Sequence, residues 1–124
     1  MVVAHVQGDI YMAASNPAFM AGISELMILR VLKDREMYGY EIVQAIQLRT
    51  RDVLTLREGV VYPLLHALEK DGWLKSRRVS NGPRPRVYYK LTAKGVRRLA
   101  DLTDDWARLN GAVAAVLKDG AHAV

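Results

Sequence analysis

The sequence predicts a mainly α chain with a small β-hairpin (an α+β class): three helices, the hairpin, then one long final helix. Three observations predict it. Apolar residues recur at helical spacing between positions 23 and 71; β-branched and aromatic residues flank Ser80-Asn81-Gly82-Pro83; and beyond Thr92 the apolar positions fall into alternating steps of three and four. At 124 residues the chain has room for one core and one element left for a partner.

Residues 1–20 show no clear period and contain the turn signal Asn16-Pro17, so they read as a partly mobile arm that turns helical near Phe19, with Met12 a second possible start. From Ile23, the residues Leu26, Met27, Leu29, Val31 and Leu32 leave few polar interruptions, which predicts a helix buried on more than one side and ending near Lys33-Asp34. A second, short helix fits Tyr38 to about Leu48, with Ile42, Val43, Ala45 and Ile46 inward and Glu41, Gln44 and Gln47 outward.

The third helix occupies roughly residues 58–71, where Val61, Leu64, Leu65 and Leu68 form one stripe and Gly72 stands in the position of a left-handed C-terminal cap. Its start has two candidates: Thr55 with Glu58 matches a capping box, and Arg57 fits as the last residue outside. Pro63 favours the later start, because a proline deep in a helix removes a backbone bond and crowds the preceding turn.

Trp73–Val79 and Arg86–Leu91 read as a two-stranded hairpin, its tip kept extended by Pro83 and Pro85, with Trp73 packed beneath it. Thr92 then caps a helix to about Lys118. Leu99, Leu102, Trp106, Leu109, Val113 and Val116 make the narrow seam of a coiled coil, which predicts a homodimer interface; the alternative is that the seam packs back on its own domain. Gly120–Val124 should fray. The division is thus residues 1–20, arm; 21–92, globular domain; 93–118, dimerisation helix; 119–124, tail.

Charge gives the first hint of a partner. The net +5 is carried by residues 51–90, which hold a surplus of five, while the other segments nearly cancel. Within residues 73–90 lie Lys75, Arg77, Arg78, Arg84, Arg86 and Lys90 and no acidic residue, so the hairpin is suited to a polyanion. No apolar run is long enough for a membrane span, and there is no cysteine, no basic-then-apolar leader and no disulfide framework, so a cytoplasmic address is expected. Three scattered histidines predict no metal site, and no cofactor is implied. Asp104 and Asp105 diverge by about 100° on a helix and do not form a catalytic pair. No nucleophile elbow, phosphate-cradling loop or His-Glu-x-x-His is present, so the chain does not read as an enzyme.

Three helices followed by a basic hairpin and a self-associating helix is the plan of a winged helix-turn-helix: the third helix enters a major groove and the wing reaches flanking phosphates. The rival class is a winged-helix module that joins protein complexes without touching nucleic acid. Against it stand the six charges of the hairpin, which a neutral protein partner does not explain.

Tyr38-Gly39-Tyr40-Glu41, then Leu56 through Gly72 with Tyr62-Pro63 ahead of Leu68-Glu69, then Gly82 through Thr92 with Tyr88-Tyr89-Lys90-Leu91-Thr92 and Gly95, resemble the PadR-like transcriptional regulators. The resemblance covers residues 22 to about 118 and is closest to the short subfamily with a single C-terminal helix. It implies a homodimeric, ligand-responsive repressor of a pseudo-palindromic double-stranded DNA operator. It also implies that Tyr38 and Tyr40 lie beside the DNA backbone, that Arg57, Val60, Tyr62, Pro63 and His66, with Lys70 at the end of the same helix, meet DNA, and that Arg84 and Arg86 form the wing tip. Many members have a small hydroxyl residue where this chain has Val60, so apolar contact with a thymine methyl replaces a hydrogen bond there. His66 has the alternative of an exposed histidine with no role.

Some members of the short subfamily bind planar aromatic compounds at the dimer centre. Trp106 therefore has two readings, an interface anchor or one wall of an effector site completed by Asn110, Leu26 and Phe19.

Overall fold

The computed structural model describes residues 17–80 and 82–119, with side chains from Gly22 to Lys118. The remainder of the arm, with Met12, and the tail from Gly120 lie outside the described residues. The elements are α1 (Pro17–Asp34), β1 (Met37–Tyr38), α2 (Gly39–Arg49), α3 (Glu58–Lys70), β2 (Leu74–Val79), β3 (Arg86–Leu91) and α4 (Ala93–Asp119). They form an α+β winged helix.

The core is where the four helices and one face of the sheet meet. Ile28, Leu29, Val31 and Leu32 of α1 pack with Ile42 and Ile46 of α2, Val61, Leu65 and Leu68 of α3, Leu74 and Tyr89 of the sheet, and Leu99 of α4. Burying each such side chain contributes about 1.5–3 kcal/mol. The stripes read from the sequence therefore do face inward.

Between α2 and α3 the chain turns on Thr50. Its hydroxyl donates to the Ile46 carbonyl (2.8 Å) and accepts from the Leu54 N–H (3.1 Å), so one side chain closes the helix end and starts the loop. Arg57 is the N-cap residue of α3, in extended backbone, with the N–H groups of Val60 and Val61 bonded to its carbonyl. The later of the two predicted starts is thus the observed one, and Pro63 sits as the sixth residue of the helix. Gly72 follows the helix at φ +84°, a conformation that an L side chain rarely adopts.

The hairpin has a partner that the sequence did not reveal. Met37 and Tyr38 pair antiparallel with Tyr89 and Tyr88, so the sheet has three strands in the order β1-β3-β2. Two residues carry no readable period, and their pairing is long-range, which is why a two-stranded hairpin was expected. The third strand resolves the marginal stability of a lone hairpin. Trp73 precedes β2, packs against the core and carries the Arg98 guanidinium 4.5 Å over its ring; Arg98 in turn reaches Glu25 of α1 (3.1 Å). The tryptophan thus touches α4 through Arg98 as well as the core.

Thr92 caps α4 as expected, accepting from the Gly95 N–H at 3.0 Å. Gly95 has no alternative: a Cβ there would fall 2.1 Å from the Trp73 carbonyl oxygen. Leu99 requires a correction. Only 4% exposed, it belongs to the chain's own core and not to a free seam, and Leu102 is half-buried beside it. The start of the predicted seam packs at home because α4 lies against α1 there. From Thr103 to Lys118 every residue is exposed, Trp106, Leu109, Val113 and Val116 among them.

Candidate nucleic-acid interface

The outer side of α3 is assembled by the same periodicity that builds the core. With Val61, Leu65 and Leu68 turned inward, Arg57, Val60, Tyr62, Pro63, His66 and Lys70 are left on the exposed side. All six residues that the sequence assigned to this segment are therefore exposed. No acidic side chain stands among them except Glu58 at the helix start, where a carboxylate suits the helix dipole.

Tyr62 is held by a close approach. Its ring and hydroxyl lie against Gly39, the first residue of α2, where a Cβ would be 2.6 Å from the ring. Burial, then Glu58 and Tyr38, push its phenol above the ordinary value, so the hydroxyl stays protonated and able to donate. Beside it, Tyr38 and Tyr40 stack with centroids 6.4 Å apart, and Gln44 donates to the Tyr40 hydroxyl (2.8 Å).

The wing closes the other side. Arg86 places its guanidinium 4.6 Å over the Tyr38 ring, and Arg84 is exposed at the tip between Pro83 and Pro85. Gly82 makes the turn at φ +78°. Tyr38, Tyr40, Tyr62, Arg84 and Arg86 thereby line one open groove of about 690 Å³. Tyr62 from α3, the two tyrosines at the start of α2 and the two wing arginines converge, although their elements are distant in sequence. Guanidinium groups and phenol hydroxyls are donors suited to phosphate oxygens.

One wing cation is not free. Arg77 is bonded to Glu36, with its Nε 3.1 Å from both carboxylate oxygens, and the pairing holds Glu36 below the usual carboxylate range. Among the described residues, one of the six cations of segment 73–90 thus has a salt-bridge partner, because the acid that precedes β1 comes from outside the segment. Reading charge within a sequence window could not find this. Glu69 was also missed: it accepts from the Ser76 hydroxyl (2.6 Å), tying α3 to the wing.

Leu26 and Trp106 line a second pocket of about 370 Å³, with Gly22, Ile23, Leu102, Asp105 and Leu109. Asn110 does not line it, because the residue lies on an exposed turn of α4 past the pocket wall. The Phe19 side chain lies outside the described residues. Among the described residues no cluster of three potential metal ligands occurs, and no helix is long and apolar enough to cross a membrane.

Comparison with known proteins agrees with this geometry. Residues 28–101 match the family model of the transcriptional regulator PadR-like family. An uncharacterised protein of Lysinibacillus sphaericus is 33% identical over 90 residues, 71% of this chain and 82% of the relative. Among solved structures, a PadR-like transcription factor from Bacteroides fragilis is 35% identical, with 77% of this chain and 90% of that one covered and a TM-score of 0.66. A PadR family transcriptional regulator from Eggerthella lenta is 26% identical, covering 90% of this chain and 96% of its own, with a TM-score of 0.74. The family and both solved structures are described as regulators of transcription, not enzymes. The chain belongs to the PadR-like family of transcriptional regulators.

Proposed function

We propose that this DNA-binding regulator is a ligand-responsive repressor that works as a homodimer on a pseudo-palindromic operator in the cytoplasm. The observation that carries the DNA contact is the shared groove: Tyr62 of α3 opens into the same cleft as Arg84 and Arg86 of the wing. In the proposed complex α3 enters the major groove. Val60, Tyr62 and His66 meet base edges, Arg57 and Lys70 flank them, and the wing and Tyr40 take phosphates.

Self-association is supported by the exposed end of α4. A single helix that projects beyond its domain is marginal in water, and this one bears Trp106, Leu109, Val113 and Val116 uncovered. Pairing with a second copy buries that stripe and duplicates α3, with half-sites about one helical turn apart. The pocket shared by Leu26 and Trp106 adjoins the stripe and suits a planar aromatic effector. Such a ligand relieves repression by favouring a dimer whose α3 spacing no longer matches the groove, limited by its differential affinity for the two states.

Sequencing the duplexes that the purified protein selects from a genomic pool tests this reading. An inverted repeat is expected, with half-sites spaced by one turn. Selection of no sequence, together with salt-independent retention of all duplexes, would favour the protein-interaction module instead.

A further inference from the structure

The sheet buries one face and leaves the other bare. Its register turns Met37, Leu74, Ser76, Tyr89 and Leu91 toward the helices, so the alternate residues Tyr38, Lys75, Arg77, Arg86, Tyr88 and Lys90 share the outer face. Lys75 and Lys90 stand directly opposite each other across the two strands. Like charges so placed destabilise a sheet. Among the described residues neither lysine has a hydrogen bond or salt bridge, and the neighbouring carboxylate, Glu36, is already engaged by Arg77.

Aromatic faces join these cations into a strip. The Tyr38 and Tyr88 rings meet edge to face at 5.4 Å, Arg86 covers Tyr38, and Arg77 lies 5.4 Å over Tyr88. From Arg86 to Lys90 the strip runs about 13 Å along β3. It is continuous with the groove beside α3, because Tyr38 and Arg86 line both. A self-repelling lysine pair on an extended cationic strip is complementary to a partner with regularly spaced negative charge, and duplex DNA already occupies the adjoining groove in the function proposed above.

We propose that the outer face of the sheet is a second DNA-backbone contact, which takes phosphates of the duplex beyond the half-site so that flanking DNA wraps past the wing. This rests on the DNA-binding reading. It differs from ordinary wing-tip contact in the residues used, Lys75 and Lys90 at the base of the sheet, and in the DNA contacted.

The test compares parent with the double variant Lys75→Ala, Lys90→Ala on two labelled duplexes. Both carry the sequence that the protein itself selects; one ends at the wing and the other extends by about one helical turn of arbitrary sequence on each side. The parent should bind the extended duplex about tenfold more tightly, as expected for a few added phosphate contacts. The double variant should lose that gain and retain the parent's affinity for the short duplex, which also shows that it is folded. An undiminished gain in the variant, an equal loss on both duplexes, or no gain in the parent would each overturn the proposal. Failure of the parent to bind either duplex would overturn the regulator reading as well.

Discussion

The Thr92 hydroxyl donates a 2.7 Å hydrogen bond to the carbonyl of Gly72, and so joins the turn that follows α3 to the residue that caps α4. The same oxygen accepts from the Gly95 N–H, and Lys94 donates to the Asp71 carbonyl (3.1 Å). The end of α3 is thus clasped to the start of α4. Thr92→Val keeps the shape and removes both bonds, and should cost about 1–2 kcal/mol. Thermal unfolding checks this; an unchanged midpoint would show that the clasp contributes nothing.

Gly39→Ala should separate stability from binding. The added methyl strikes the outer part of the Tyr62 side chain, which is 37% exposed and has room to swing away. Folding should therefore change by less than about 1 kcal/mol, helped by alanine's better helix propensity. Affinity for selected DNA should fall severalfold, because Tyr62 leaves the groove. Retained affinity would remove Tyr62 from the interface.

Much of this was legible in the sequence because the helices carry their own periodicity. The inward stripes of α2 and α3, the proline argument for the start of α3, the Thr92 cap and the turn at Gly82 are local chemistry. Where contacts are long-range, legibility ended. β1 is two residues whose only signal is pairing with β3, and Arg77 gained a partner in Glu36 through that pairing. The seam of α4 shows the same limit: a step of three and four does not distinguish Leu99, buried in the core of its own chain, from Leu109, which is 60% exposed.

Association should fail when the exposed end of α4 is charged. Leu109→Asp with Val113→Asp alters no buried side chain, since the two are 60% and 49% exposed in the single chain. Sedimentation should find folded monomers for the variant and dimers for the parent. Dimers in both would move the interface elsewhere.

Acid should erase the contribution of Glu36. Its carboxyl is held below the ordinary 4.5 by the hydrogen bond from Arg77, then by the charges of Arg77 and Lys90. The folded value is the lower one, so the stabilisation is complete above 4.5 and disappears as pH falls through the folded value. Glu36→Gln should melt below the parent at neutral pH, and the gap should close as the pH drops beneath that range. A gap independent of pH would mean that the ion pair is not its cause.

In the proposed complex the α3 face meets base edges while the wing holds the phosphate backbone. Duplex affinity measured across a series of salt concentrations, for the parent and for Arg84→Ala with Arg86→Ala, tests it most directly. The parent's log affinity should fall linearly with log salt, by roughly 0.9 per phosphate contacted, and the double variant should bind more weakly with a slope smaller by about two. A flat response in the parent, or a variant that matches it in both affinity and slope, would rule out backbone binding by the wing.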